Sequence, residues 1–266
     1  WIMTAGFAAI LTGLTACNAD SEDDQAATPA ITTPESVSLS LLGRYESDEF
    51  GVSAAEIPAF DPANRQIFVV NARKGAVDVL NAADIANPVL LQSLTVESVA
   101  PGAIVNSIAY RDGYLAVAIE AETKTDPGFV ALFDATTLQL LGSVQVGAQP
   151  DMLTFTPDGK YLLVANEGEP NDDYSVDPVG SISVITLDDQ GLAQVSTAGF
   201  TAFDSQANAL RNAGVRIYGP NASVAQDLEP EYITVADDSQ IAWIALQENN
   251  ALAKLDIATA TITDVL

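Results

Sequence analysis

The chain has 266 residues, with 36 acidic and 10 basic side chains and no histidine, which gives a formal net charge of −26. A surface this negative repels nucleic acid and anionic lipid head groups, so neither is expected as a partner. Without histidine, the Ser-His-Asp and Cys-His nucleophiles and the usual zinc, copper and non-haem iron ligand sets are excluded. Carboxylate, amide and carbonyl oxygens remain, and these ligands suit calcium and magnesium.

The first 17 residues form an apolar run of signal-peptide length that is too short for a comfortable membrane span. The run ends in Leu14-Thr15-Ala16-Cys17, which resembles the lipobox of bacterial lipoproteins, where the cysteine becomes the lipidated first residue. Cys17 is the only cysteine, so no disulfide can form within the chain. We predict a lipoprotein signal peptide and a membrane partner through lipidated Cys17. An ordinary signal peptide with a chance cysteine is the alternative.

Residues 18–36 contain almost no large apolar side chains, which predicts a disordered tether that holds the following domain away from the membrane. Asn18 follows the cysteine where Asp would favour retention at the inner membrane. The expected location is therefore extracytoplasmic and lipid-anchored, in a bacterial outer membrane, with the side of that membrane left open.

From residue 37 onward, four segments of the chain share one plan. Each has an apolar strand, a turn rich in Asp, a strongly apolar strand and a polar loop, and a Gly or Asn then leads into an alternating strand. The segments are 60–82, 110–135, 155–187 and 235–257, with third strands beginning at Gly75, Gly128, Gly180 and Asn250. Four antiparallel strands in about 45–50 residues is the period of a β-propeller blade. A β-sandwich does not predict this repetition, so we predict an all-β propeller over residues 37–266.

Two further features complete the predicted architecture. The third and fourth repeats are separated by an insertion at about 199–228, where Asp204 or Ser205 is expected to cap a short helix that ends near Gly214. Residues 37–48 are expected to form an N-terminal strand that closes the ring. Because the chain stops in mid-blade, the expectation is about four blades of a propeller that has seven in full length.

Polar side chains fall at equivalent positions of the repeats. Within a blade the strands alternate in direction, so the start of the first strand and the end of the second share one face of the propeller. We predict that this face forms a channel mouth from residues that the repeats align: Glu56, Asn106, Asp151, Asn166, Gln247, Glu248 and Asn249.

The loop in residues 164–185 belongs to the same face and carries five closely spaced carboxylates. Like charges raise the cost of ionising one another, and a hard cation would offset that cost. We hypothesise one or more Ca²⁺ ions with ligands among Glu167, Glu169, Asp172, Asp173, Asp177, Glu229 and Glu231, with no lysine expected nearby. The alternative is a solvated polar mouth without metal, since no EF-hand spacing is present.

Three segments of the chain, residues 162–185, 208–233 and 242–257, resemble the bacterial choice-of-anchor I family, which is related to the mesenchyme-specific cell-surface glycoprotein type. The segment "TPDGKYLLVAN" is also similar to the YVTN-type propeller repeat. The resemblance implies an extracytoplasmic propeller attached to the cell surface, and some relatives are described as phosphatase- or phytase-like.

Three functions follow as expectations from these observations. The first is a binding or interaction module for a surface ligand or partner protein, with Ca²⁺ at the acidic mouth. The second is a calcium-dependent phosphoesterase, which would need basic groups to hold phosphate. The third is a structural surface protein without metal.

Overall fold

In the computed structural model, which describes residues 36–188 and 191–266, sixteen strands form four antiparallel sheets of four. The first sheet holds β1 (Pro58–Asp61), β2 (Gln66–Asn71), β3 (Ala76–Asn81) and β4 (Val89–Thr95). The second holds β5 (Ile104–Arg111), β6 (Tyr114–Glu120), β7 (Pro127–Asp134) and β8 (Leu140–Ala148). The third holds β9 (Pro150–Phe155), β10 (Tyr161–Asn166), β11 (Ser181–Asp188) and β12 (Gly191–Gly199). The fourth holds β13 (Tyr232–Val235), β14 (Ile241–Leu246), β15 (Ala251–Asp256) and β16 (Thr261–Val265).

The four sheets are propeller blades, because each is a meander of consecutive strands and the first strands adjoin in series. β1 contacts β5, β5 contacts β9, and β9 contacts β13, while the outer strands β8, β12 and β16 adjoin in the same order. The predicted fold, an all-β propeller with four blades present, is confirmed.

Each hydrophobic core lies between two consecutive blades. The sequence of β10 is continuously apolar and does not alternate, because both faces of this strand are buried. Leu162 and Val164 pack in the core shared with the second blade, whereas Leu163 and Ala165 pack in the core shared with the fourth. A strand buried on both faces reads as an unbroken hydrophobic run.

Acidic residues close the turns between the first two strands of a blade, as the Asp-rich repeats predict. Asp61 is fully buried and accepts hydrogen bonds from the Ala63 and Asn64 amides. It also accepts a hydrogen bond from the Tyr110 hydroxyl at 2.9 Å. Asp158 in the third blade accepts a bond from the Lys160 amide at 3.1 Å. These carboxylates stabilise the turns, and they lie at the end of the blades opposite to the candidate mouth.

The insertion between the third and fourth blades contains two short helices. A 3₁₀ turn at Thr201–Gln206 leads into α1 (Ala207–Ala213), and α2 (Val224–Asp227) follows. The predicted end near Gly214 is confirmed by its left-handed conformation, with φ of 105°. The predicted cap is wrong: Gln206 precedes α1 without a side-chain capping hydrogen bond, and the Asp204 carboxylate accepts the Ala225 amide at 3.0 Å instead of capping α1.

The predicted N-terminal strand is not formed. Residues 37–48 are irregular, because a strand needs a neighbour to pair with and each described sheet is complete with four consecutive strands. The chain divides into compact units at 1–40 and 41–266, and of the first only the exposed residues 36–40 are described. The predicted signal peptide, Cys17 and nearly all of the tether at 18–36 lie outside the described residues. In the described part of the chain, no helix is long and apolar enough to cross a membrane.

Candidate functional site

Three glutamates from two separate loops meet at the start of the fourth blade. Glu167 and Glu169 follow β10, and Glu229 follows α2 in the insertion. One carboxylate oxygen from each lies within 4.8 Å of the others, an arrangement able to hold a metal ion. The loop after β10 and the insertion therefore converge, and we call these three residues the glutamate cluster.

Glu229 is held in place by its main chain. Asn249, fully buried in the turn after β14, accepts a hydrogen bond from the Glu229 amide at 3.0 Å and donates to the Arg216 carbonyl at 2.9 Å. Gly180, at the start of β11, packs directly against the Leu228 carbonyl, where any Cβ atom would collide. The side chain of Glu229 is thus presented from a fixed backbone that packs against the third blade.

Gln149 joins the two glutamates that follow β10. Its side-chain NH₂ group donates to Glu167 Oε2 at 2.6 Å and to Glu169 Oε2 at 3.1 Å. The main-chain carbonyl of Gln149 accepts a hydrogen bond from the main-chain amide of Glu167 at 2.9 Å. The Gln149 side chain is buried, and its Oε1 atom has no hydrogen-bond partner. A buried oxygen without a donor is available to a cation.

Lys124, in the loop between β6 and β7 of the second blade, reaches the same cluster. Its Nζ lies 2.8 Å from Glu169 Oε2. The expectation that no lysine lies nearby is therefore wrong, because the neighbouring blade contributes this charge across a gap of 45 positions in sequence. The cluster carries one internal positive charge against several carboxylates.

The glutamates have different protonation equilibria. Burial, followed by repulsion from Glu169, Asp151, Glu229 and Glu231, raises the pKa of Glu167 from 4.5 to about 8. Burial favours the neutral form of Glu169 as well, but hydrogen bonds from Lys124 and Gln149 outweigh it and lower the pKa of that carboxyl.

Repulsion extends beyond the three glutamates. Burial and then the charges of Glu169, Asp227, Glu248 and Asp177 raise the pKa of Glu229 to about 7. Burial and then Asp151 and Glu248 raise the pKa of Glu231, and burial with Glu120 and Glu169 raises that of Asp151. Carboxylates from the second, third and fourth blades therefore form one electrostatic group, and Lys124 offsets only part of its negative charge.

The structure brings together three of the seven predicted calcium ligands. Of the other four, Asp172 and Asp173 are exposed, and Asp173 accepts a hydrogen bond from the Ser175 amide at 3.0 Å. Asp177 has a buried Oδ1 without a hydrogen-bond partner. Glu231 is partly buried and repels Asp151. These four lie around the glutamate cluster without sharing its close contacts.

The predicted mouth residues divide into four groups. Asp151 and Glu248 belong to the electrostatic group around the cluster, whereas Glu56 and Gln247 are exposed at the ends of strands. Asn106 donates to Glu120 Oε2 at 2.8 Å and to the Pro150 carbonyl at 3.2 Å.

The fourth group consists of two asparagines that face the protein interior. Asn166 and Asn249 are both fully buried. Asn166 donates to Ser183 Oγ at 2.9 Å, across β10 and β11. Both side chains donate hydrogen bonds to backbone carbonyls or to a neighbouring strand, and the buried Oδ1 of Asn166 has no hydrogen-bond partner within the described residues.

A cleft of about 400 Å³, which no pattern in the sequence indicates, opens beside the glutamate cluster. It is bordered by four carboxylates, one ammonium group, two tyrosines and two further residues of the loop after β10. These residues are Glu169, Asp172, Glu229, Glu248, Lys124, Tyr174, Tyr218, Pro170 and Asn171. The sequence also does not indicate Lys124, which the neighbouring second blade brings to the loop after β10, or Gln149, which the pairing of β9 with β10 brings there.

Comparisons with known proteins agree with this architecture. The choice-of-anchor I domain family model matches residues 56–266. No curated protein matches the chain. A solved protein from Lactobacillus plantarum has a TM-score of 0.50 at 18% identity, with 80% of this chain and 56% of that chain covered.

Two other solved structures are comparably similar. A functionally unknown protein from Desulfotomaculum acetoxidans has a TM-score of 0.50 at 10% identity, covering 76% of this chain and 52% of that one. The nidogen/laminin complex gives a TM-score of 0.46 at 14% identity, with 79% and 62% covered. This chain therefore spans less than two thirds of the length of these structures, and identities this low show the fold alone.

Proposed function

Because the chain belongs to the choice-of-anchor I family, we propose that this surface-associated propeller module binds a ligand or partner at its acidic mouth, with Ca²⁺ held by the glutamate cluster. The observation that carries the proposal is the meeting of Glu167, Glu169 and Glu229 within 4.8 Å, although Glu229 lies 60 or more positions away in sequence. Carboxylates that repel one another at this separation are stabilised by a counter-ion.

The residues present fit a hard divalent cation. The three carboxylates supply oxygen donors, the type that Ca²⁺ prefers, and Ca²⁺ takes six to eight of them at about 2.3–2.6 Å. Glu167, Glu169 and Glu229 would hold the ion. The bound ion would supply positive charge and open coordination positions for oxygen atoms of a ligand.

The proposed location follows from the family and from the start of the chain. We propose that lipidated Cys17 anchors the protein and that residues 18–36 hold the propeller away from an outer membrane. Radiolabelled palmitate incorporation in cells would test the anchor. Label on the wild type but not on Cys17→Ser is expected, whereas label on neither protein would contradict it.

A calcium-dependent phosphoesterase is the second candidate, and Lys124 favours it, as an ammonium group beside the cluster. Four carboxylates border the same cleft and would repel a phosphate ester, and Lys124 is already paired with Glu169. A binding module is therefore the better-supported function. Turnover of p-nitrophenyl phosphate or phytate with Ca²⁺, lost in Glu167→Gln, would favour the enzyme, whereas no turnover is expected.

Titration calorimetry with CaCl₂ on the domain purified in chelator tests the metal proposal. A saturable heat and an increase in melting temperature are expected. The control is Asp112→Asn, which removes one exposed carboxylate. Asp112 lies in the turn between β5 and β6, at the end of this hairpin that is opposite to the candidate mouth. Absence of heat and of any thermal shift in the wild type would reject the metal.

A further inference from the structure

The cleft beside the glutamate cluster is unusual in its combination of charge and aromatic surface. Glu169, Asp172, Glu229 and Glu248 face a single ammonium group, that of Lys124. Tyr174 and Tyr218 border the same space and are 44% and 50% exposed. With four carboxylates against one ammonium group, the net charge of the lining is negative, and such a cleft with low-dielectric walls concentrates cations.

One wall of the cleft contains a carboxyl group with no partner. Glu229 is only 9% exposed, and its carboxylate makes no hydrogen bond or ion pair within the described residues. A buried carboxylate is costly unless a donor or a cation pairs with it. Because Glu229 borders both the cluster and the cleft, this unpaired group points to a cationic ligand in that space.

The tyrosine rings define what kind of cation suits the cleft. The guanidinium carbon of Arg216 lies 4.9 Å from the centre of the Tyr218 ring, so this ring already holds one organic cation against a face. Aromatic faces attract ammonium and guanidinium groups, and the attraction increases when water is excluded. A bare metal ion makes no use of the tyrosines, whereas an alkylammonium group on a methylene chain contacts carboxylates and rings together.

We propose that the cleft binds an organic cation bearing primary ammonium groups on an alkyl chain, with Glu229, Glu248 and Tyr218 as its principal contacts. Two sources offer this chemistry: a free polyamine and the lysine side chains of a partner protein. Several carboxylates border the cleft, so a ligand with more than one ammonium group is favoured over a monoamine. The inference rests on the proposed function only in that the mouth is a ligand-binding surface.

The cleft and the calcium site share Glu169 and Glu229. Ca²⁺ and the organic cation are therefore expected to compete, and each lowers the apparent affinity for the other by the same factor. Mutual displacement distinguishes binding at this cleft from non-specific attraction of cations to a protein with a net charge of −26. Ca²⁺ at low concentration would not selectively displace an amine that is bound non-specifically.

The test is calorimetry at physiological salt with spermidine and, separately, with penta-lysine. 1,8-Octanediol serves as an uncharged chain and is expected not to bind. Saturable one-site binding of at least one of the amines is expected. It should weaken about 2- to 30-fold in Tyr218→Leu, by the usual strength of a cation–π contact, and remain in Tyr218→Phe. Binding of spermidine alone identifies a free polyamine, and binding of penta-lysine alone identifies a partner's lysines.

Control variants keep the inference falsifiable. Glu229→Gln should weaken amine binding more than Asp112→Asn does, although both remove one carboxylate. Absence of saturable binding for both amines, or equal weakening in these two variants, would overturn the proposal. The calcium proposal is judged independently, because Tyr218→Leu should bind Ca²⁺ as the wild type does. Amine binding without Ca²⁺ binding would reject the metal and retain the organic cation.

Discussion

Lys124 in the second blade lies 2.8 Å from Glu169 in the third, so the protein places one of its few basic groups against its most crowded carboxylates. The hydrogen bond from Lys124 Nζ to Glu169 raises the pKa of Lys124, which keeps the ammonium group charged. This internal cation competes with any metal for Glu169. Removal of the Lys124 charge is therefore expected to change the affinity for calcium.

Lys124→Met is expected to increase calcium affinity about 2- to 5-fold. The ion pair is partly exposed, and such pairs contribute about 0.5–1 kcal/mol, which sets the size of the change. Calorimetry with CaCl₂ measures it, and Lys124→Arg, which retains the charge, should leave the affinity near that of the wild type. Weaker binding in Lys124→Met would mean that the lysine supports the ion.

Glu229→Gln is expected to weaken Ca²⁺ binding at least about tenfold, because it removes one of three clustered carboxylates and leaves an amide in its place. Asp173→Asn is the matched control: it also removes one charge from a predicted ligand, but Asp173 is exposed and outside the close contacts of the cluster. Calcium titrations of both variants check this prediction. Equal losses in the two would show that the site extends over the whole loop after β10.

Stability without metal should fall as pH rises through the range in which Glu167 ionises. The folded protein raises the pKa of this carboxyl from 4.5 to about 8, so between these values the folded state binds a proton more tightly than the unfolded state. That contribution is present at low pH and is lost as pH rises through the folded value. Melting temperatures in EDTA, recorded by circular dichroism from about pH 5 to 9, should therefore decrease less in Glu167→Gln than in the wild type.

Asp173→Asn is again the control for the pH experiment. A hydrogen bond from Ser175 lowers the pKa of Asp173, so its removal should not flatten the pH dependence. Parallel profiles for wild type and Glu167→Gln would show that Glu167 is not the group that responds.

Gly180→Ala should reduce both stability and calcium affinity. A Cβ atom at residue 180 collides with the Leu228 carbonyl, and the displaced backbone carries Glu229 away from Glu167 and Glu169. A steric insertion of this kind costs about 1–3 kcal/mol. Thermal melting and Ca²⁺ titration measure the two effects. Gly199→Ala, where a Cβ has open space, should leave both unchanged.

The repeating blades could be predicted from the sequence because their signal is local and periodic. Leu162–Ala165 reads as a strand buried on both faces, and Gly75 and Asn250 both adopt the left-handed conformation immediately before a third strand. The start of α1 could not be predicted, since Asp204 does not cap α1 and instead accepts the Ala225 amide of α2, whose cap is Ser223. The contact of Asp204 with Ala225, which is distant in sequence, takes the place of the local capping contact that the sequence suggests.

The candidate site could be predicted only in part for the same reason. Spacing within one loop identifies Glu167 and Glu169, and alignment of the repeats adds Glu229. Lys124 reaches the cluster only because the second blade stands beside the third, and Gln149 reaches it through the pairing of β9 with β10, and no local pattern in the sequence records either contact. Asn166 and Asn249 occupy aligned mouth positions but turn inward to satisfy buried groups.

The most direct measurement is a crystal structure of the domain grown with CaCl₂, with anomalous scattering collected to locate the ion. The account predicts one Ca²⁺ with carboxylate oxygens of Glu167, Glu169 and Glu229 at about 2.3–2.6 Å. A fully occupied ion elsewhere, or a cluster that holds only water and Lys124 at saturating calcium, would contradict it.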